Sequence, residues 1–266
     1  MHIVVLIKQV PGTDNVKMDP ETGVMVRTNK NNVINPLDEN ALEEAIRIKN
    51  SLPGTKVTAI SMGPESAIKA LREAIAMGAD QAVLISGRAF AGSDTIATAR
   101  VLSAAIRKVG PADIILCGER ATDGETGQTG AMVAAMLDIP VQSYVSKIDI
   151  ECTEEGNRVT VNRIVEGGFE VVSVPCPVLI TVVKDINIPG LPTINGKIKA
   201  RQTDIPVWGP EDLGLEKPQL GLTGSPTRVV KIFSPKLARN TVMFQEDGSG
   251  NSVQQLLEFF RQRELI

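Results

Sequence analysis

The chain has 266 residues, 42% hydrophobic and 22% charged, with a formal net charge of −3; it can bury a sizeable core and has the composition of a soluble globular protein. The acidic balance offers no electrostatic footprint for nucleic acid or an anionic membrane, and one Trp with one Tyr leaves no base-stacking platform. One histidine, His2, and three scattered cysteines leave almost no raw material for zinc or for His-dependent acid–base and nucleophilic catalysis.

The opening MHIVVLIKQV holds an apolar run of five residues. That is too short for a secretory leader core or a membrane span and reads as a buried strand, His2–Lys8. No segment approaches the length of a membrane span. Cys117, Cys152 and Cys176 are odd in number and lack paired spacing, which predicts no disulfide framework and a cytoplasmic location. Further strands are predicted at 56–62, 81–86 and 113–117, alternating with helices at 39–51, 64–77, 94–108 and 130–137. This is the pattern of an α/β protein with a doubly wound, mostly parallel sheet. Asp38 reads as the N-cap of the first helix and Ser93 or Asp94 as that of the third, with Gly78 and Gly110 at helix C-caps.

The most informative stretch is PADIILCGERATDGETGQTGAM, from Pro111 to Met132. A short apolar run breaks at Cys117-Gly118, a loop with Gly124, Gly127 and Gly130 follows, and a helical pattern begins at Ala131. The first N–H groups of a helix are unsatisfied and carry partial positive charge, so an anion completes them. Thr122, Thr126 and Thr129 can add hydroxyl donors. The loop is neither a Walker A motif nor Gly-x-Gly-x-x-Gly. Its composition fits a nucleotide site and an ordinary strand-to-helix loop equally well.

A second pattern starts near Val145. Strands at 146–152, 158–166, 169–174 and 178–184, with turns at Glu155-Gly156-Asn157 and Gly167-Gly168, predict an antiparallel extension (145–175) and a return strand into the main sheet. After Asp185 the periodicity fades into IPGLPTINGK, WGPEDLG and LTGSP, before a helix at 252–264. The expected organisation is a nucleotide-binding domain over 1–185, then a C-terminal arm and terminal helix over 186–266 that pack on a partner subunit.

Val161-Asn162-Arg163, Glu166-Gly167-Gly168, Glu170 and Pro177-Val178-Leu179-Ile180-Thr181 resemble the characteristic block of electron-transfer flavoprotein β subunits. IKQVPGTDNVKMDP, NPLDENALEEA, LCGERATDGETGQTG, LPTINGKIKAR and SPTRVVKIFSP are similar to other segments of that family, in the same order along essentially the whole chain. The resemblance implies an αβ heterodimer with one FAD held mainly by the α subunit. The β subunit then holds AMP in carrier-type members, or a second, electron-bifurcating FAD in a group from anaerobes.

Carried over residue by residue, the implied pocket uses Leu6, then Asn35, Pro36, Leu37 and Asp38, then Met62. It is completed by Gly118, Glu119, Arg120, Ala121, Thr122, Asp123, Gly124, Glu125, Thr126, Gly127, Gln128 and Thr129. Asp123 and Thr126 are expected to hold the loop shape or a ribose, and N–H groups near Gln128 and Thr129 to receive phosphate. The run from Asp123 to Gln128 is closer to the bifurcating type, Asp-Gly-Asp-Thr-Ala-Gln, than to the carrier type, which has Asn at the place of Gly127. The implied cofactor is therefore FAD, with AMP the alternative.

With FAD, hydride arrives from NADH and single electrons leave toward the α-subunit FAD and a dehydrogenase, and toward a low-potential acceptor such as ferredoxin. Leu191 matches the position that the family inserts into a flavin dehydrogenase, with Pro189-Gly190 and Pro192 stiffening the loop. Lys197, Lys199 and Arg201 are candidates for steering charge, Arg163 for a structural role, and Cys117 for a small buried apolar residue.

Overall fold

Short runs rich in Val and Ile form the strands, and the helices between them carry Ala, Leu and Ile at helical spacing. A computed structural model describes residues 1–12, 17–18, 25–26, 32–153, 156–230, 241–245 and 251–266. The IKQVPGTDNVKMDP and SPTRVVKIFSP segments and the turn at Glu155 therefore lie partly outside the described residues.

In chain order the first strands are β1 (His2–Leu6), β2 (Gln9–Pro11), β3 (Lys17–Met18), β4 (Met25–Val26) and β5 (Asn32–Ile34). Helix α1 (Pro36–Ser51), β6 (Lys56–Met62), α2 (Ile68–Met77), β7 (Gln81–Ile85), α3 (Thr95–Val109), β8 (Ile114–Gly118) and α4 (Thr129–Leu137) follow. Then come β9 (Val141–Thr153), β10 (Gly156–Val165), β11 (Gly168–Pro175), β12 (Val178–Val182), α5 (Ile194–Gln202), β13 (Val207–Trp208) and α6 (Asn251–Gln262).

Nine strands make one sheet in the order β11-β10-β9-β12-β8-β1-β6-β7-β13. Strands β9 to β13 of that order are mutually parallel, and β10 and β11 extend it as antiparallel strands. The predicted α/β fold, antiparallel extension and return strand are all present. From β1 the chain moves one way to β6 and β7, then crosses back to β8 on the other side of β1. The strand order reverses there, and such a switch point opens a crevice outside the carboxyl ends of the strands.

Alternation along the central strands divides the core into two layers. Ile3, Val5, Ile114 and Leu116 face Ala41, Leu42, Ala45 and Ile48 of α1 and Leu71 and Ile75 of α2. Val4, Leu6, Ile115 and Cys117 face Leu102 and Ala105 of α3 and Val133 and Ala134 of α4. Helices on both faces are what a parallel sheet needs, because both of its faces are apolar.

Two predicted details change. Asn35, not Asp38, is the N-cap residue of α1, because Pro36 begins the helix and suits its first turn. The region after Asp185 is also more regular than its composition suggests. Helix α5 packs against α2, with Ala200 buried; β13 joins the sheet edge beside β7, and Ile205 and Leu220 are buried.

Residues 1–230 form one compact unit and residues 231–266 another. Within the second, the rings of Phe244 and Phe259 meet edge to face at 5.8 Å between centroids, and Val253, Leu256 and Leu257 of α6 are exposed. No helix among the described residues is long and apolar enough to cross a membrane.

Candidate functional site

The carboxyl ends of β1 and β8 flank the switch point, and the amino end of α1 stitches them together. Asn35 is fully buried; its backbone N–H donates to Lys8 O at 2.8 Å, and its Nδ2 donates to Arg120 O at 2.9 Å. Its Oδ1 accepts the Thr122 N–H at 3.1 Å. One turn on, Asp38 Oδ2 accepts the Lys8 N–H and Oδ1 the Gly118 N–H, each at 2.9 Å. Two side chains of α1 thus hold the end of β1 and the first half of the loop after β8.

Close packing makes Gly118 obligatory. A Cβ there would lie 2.6 Å from Leu37 Cβ and 2.8 Å from both Asp38 Oδ1 and the Leu37 carbonyl carbon. Burial pushes the Asp38 carboxyl up to about 7, against the N–H groups of Gly118 and Lys8 and the Asn35 side chain, which favour the charged form.

The loop then turns through Ala121, whose carbonyl accepts from Glu125 N at 2.8 Å. Asp123 is reached from across the cleft by Lys8, Nζ to Oδ1 at 2.6 Å. Arg120 pairs with Glu119, whose backbone N–H donates to Val182 O at 3.0 Å. Thr122, Gly124, Glu125, Thr126, Gly127 and Gln128 are exposed.

Gly127 has φ +61°, and a Cβ on it would meet only Glu119 O, at 3.6 Å; a Cβ on Gly124 would meet nothing within 4 Å. Gln128, the N-cap residue of α4, makes no capping bond. A helix start with no side-chain cap, beside open glycines, fits a phosphate-bearing nucleotide, and both FAD and AMP present the phosphate that such donors receive.

The implied pocket residues are brought together in part. Asn35 and Asp38 are hydrogen-bonded to Gly118, Arg120 and Thr122 of the 118–129 loop, with Leu37 packed close to Gly118 and Pro36 exposed on the rim. Leu6 and Met62 are the last residues of β1 and β6, at the carboxyl ends of the strands; Leu6 is buried and Met62 part-buried in the apolar layer shared with α3 and α4. Leu191 sits on a different loop and is 91% exposed. Sequence reasoning does not single out Lys8, although its place two residues past the end of β1 was the available signal.

His2 lies at the opposite end of β1. Its ring contacts Pro111 O at 2.9 Å and Thr58 Oγ1 at 3.0 Å, a structural role. Cys117 is buried, and burial pushes its thiol well up, so it packs as a small apolar residue; all three cysteines are free. Arg163 pairs across strands with Glu170 at 3.5 Å. Lys199 is part-exposed, and its Nζ donates to Ala79 O at 3.0 Å and lies 3.9 Å from Asp80 Oδ1.

Residues 22–213 match the family model of the electron transfer flavoprotein domain. The chain is 47% identical over 270 residues to the electron transfer flavoprotein subunit beta of Thermoanaerobacterium thermosaccharolyticum, covering all of both chains. It is 46% identical over 235 residues to the caffeyl-CoA reductase–Etf complex subunit CarD of Acetobacterium woodii, covering 88% of each. Against the electron transfer flavoprotein subunit beta of Megasphaera elsdenii the identity is 42% over 266 residues, covering 97% of each. With the doubly wound sheet and the strand block around Arg163, these likenesses place the chain in the electron transfer flavoprotein family, as a β subunit.

Proposed function

We propose that this β subunit binds FAD in the cleft between β1, α1 and the 118–129 loop, and works as the electron-bifurcating subunit of an αβ heterodimer in the cytoplasm. The observation that carries the reading is the loop from Asp123 to Gln128. Gly127 leaves open the space that a side chain occupies in carrier-type members, as a diphosphate and ribityl chain require. FAD held there would supply the redox chemistry, as hydride acceptor for NADH and source of single electrons for the α-subunit FAD and a low-potential acceptor such as ferredoxin.

The protein's own part is position. Asn35 and Asp38 hold the loop, Lys8 and Asp123 close one side of it, and the first turn of α4 offers N–H groups to phosphate. No side-chain acid or base is required. The resemblance of CarD, named as part of a caffeyl-CoA reductase complex, supports a flavin dehydrogenase as partner. Leu191 is the proposed docking residue, and the region after residue 185 with the terminal helix is the proposed contact with the α subunit.

The deciding experiment measures FAD and AMP in the purified αβ complex, by extraction and chromatography after incubation with excess FAD. Two FAD and no AMP are expected across the α and β sites. One FAD with one AMP would replace this reading with a carrier-type subunit that has no redox role of its own.

A further inference from the structure

Helix α1 grips a second loop, on the chain after β12. Asn40, Glu43, Glu44 and Arg47 recur at helical spacing and form one polar stripe beside the apolar face of Ala41, Leu42, Ala45 and Ile48. Asn40 is only 2% exposed, an uncommon place for an amide within a helix. Its Nδ2 donates to Asn187 O at 2.9 Å, Asn187 Oδ1 at 3.0 Å and Lys184 O at 3.2 Å. Asn187 Nδ2 answers with bonds to Asn40 O at 3.0 Å and Glu44 Oε2 at 3.3 Å.

Buried Glu44 is held in turn by Arg47, Nε to Oε2 at 3.0 Å, and Glu43 accepts the Gly190 N–H at 3.0 Å. Beyond these anchors the chain turns its apolar residues outward. Ile188 is 92%, Leu191 91% and Ile194 80% exposed. A base tied by reciprocal amide bonds beneath a fully exposed apolar crest is an arrangement that presents side chains to a partner.

We propose that Asn40 and Asn187 are positioning residues for dehydrogenase docking. Their bracket holds the Ile188–Ile194 loop on α1 before the partner arrives, so that Leu191 enters its pocket without first ordering the loop. Because Asn35 caps that helix and Asp38 stands on it, one rigid rod sets both the cofactor loop and the docking loop. The proposal rests on the docking role of Leu191 and extends it to residues that touch no partner themselves.

The test uses the αβ complex and an acyl-CoA dehydrogenase reduced by its own acyl-CoA substrate, with the complex as the varied electron acceptor. Asn187→Ala is expected to raise the KM for the complex about tenfold, with kcat and flavin content unchanged. A general loss of fold would lower flavin content or kcat instead. In the double variant Asn187→Ala/Leu191→Ala, the KM should rise no further than in Leu191→Ala alone, because the bracket acts through that leucine.

If Leu191→Ala transfers electrons like wild type, the docking reading itself fails. If Leu191→Ala is impaired but Asn187→Ala is not, or the two effects multiply, the bracket proposal is overturned and the docking reading stands. Should Asn187→Ala not assemble, Glu43→Ala removes only the Gly190 anchor and is judged by the same criteria.

Discussion

At the scale of single residues, Asp38 is a buried carboxyl held by two backbone N–H groups. In an unfolded chain an Asp releases its proton near pH 3.9, whereas the buried Asp38 keeps it to about 7. The native state therefore binds more protons across that window, and this group's contribution to stability falls as pH rises from about 4 to about 7. Asp38→Asn removes the titration but turns an amide N–H toward one of two backbone N–H donors. It should cost on the order of 1–3 kcal/mol at pH 5 and flatten the pH dependence, as read from urea unfolding at several pH values. Gly127 is a different kind of constraint. Its φ of +61° is open to Asn with little strain, and no protein atom crowds a side chain there. Gly127→Asn should therefore melt like wild type while its FAD affinity in the β site drops about tenfold, roughly 1.4 kcal/mol. Unchanged FAD occupancy would show that Gly127 is not there to make room.

The elements differ in how plainly the sequence announces them. Asp94 accepts the Ala97 N–H at 3.0 Å, the N-cap bond predicted for α3, and it also receives the N–H and hydroxyl of Thr227 at 3.0 and 2.8 Å. Asp94→Ala should lower stability by about 1–2 kcal/mol in thermal unfolding, since it removes a helix cap together with a long-range tie. The cap of α1 was misread because an Asp three residues inside a helix looks the same as a capping Asp until Pro36 is weighed. Helix α5 and strand β13 were missed for another reason. The helix buries only Ala200 among its nine residues and the strand has two residues, so neither writes a periodic apolar pattern. Their places are set by contacts with α2 and β7, made across more than a hundred residues of chain.

For the molecule as a whole, the placement of β1 between β8 and β6 decides where the candidate site lies, because the crevice opens only where the strand order reverses. The exposed crest at Leu191, with its proposed docking role, is the other feature at this scale. Leu191→Ala should slow electron transfer to the dehydrogenase about tenfold while leaving the flavin content of the complex unchanged. Stopped-flow reduction of the complex measures this, and wild-type rates would remove the docking role.

Sequence alone determined the α/β class, the antiparallel extension and the loop after β8, because each is written locally in spacing and periodicity; the family came instead from the resemblance of whole segments in their order along the chain. It also placed Asn35 and Asp38 in the site through the resemblance, but not what they do there. Only tertiary structure decided that Asp38 is a bracket between two strand ends, that Lys8 closes on Asp123, and that Asn40 and Asn187 tie the Ile188–Ile194 loop to α1. Each of those contacts joins residues that are far apart in the chain. A helix face records that it is polar, but the group it will meet is supplied by the fold.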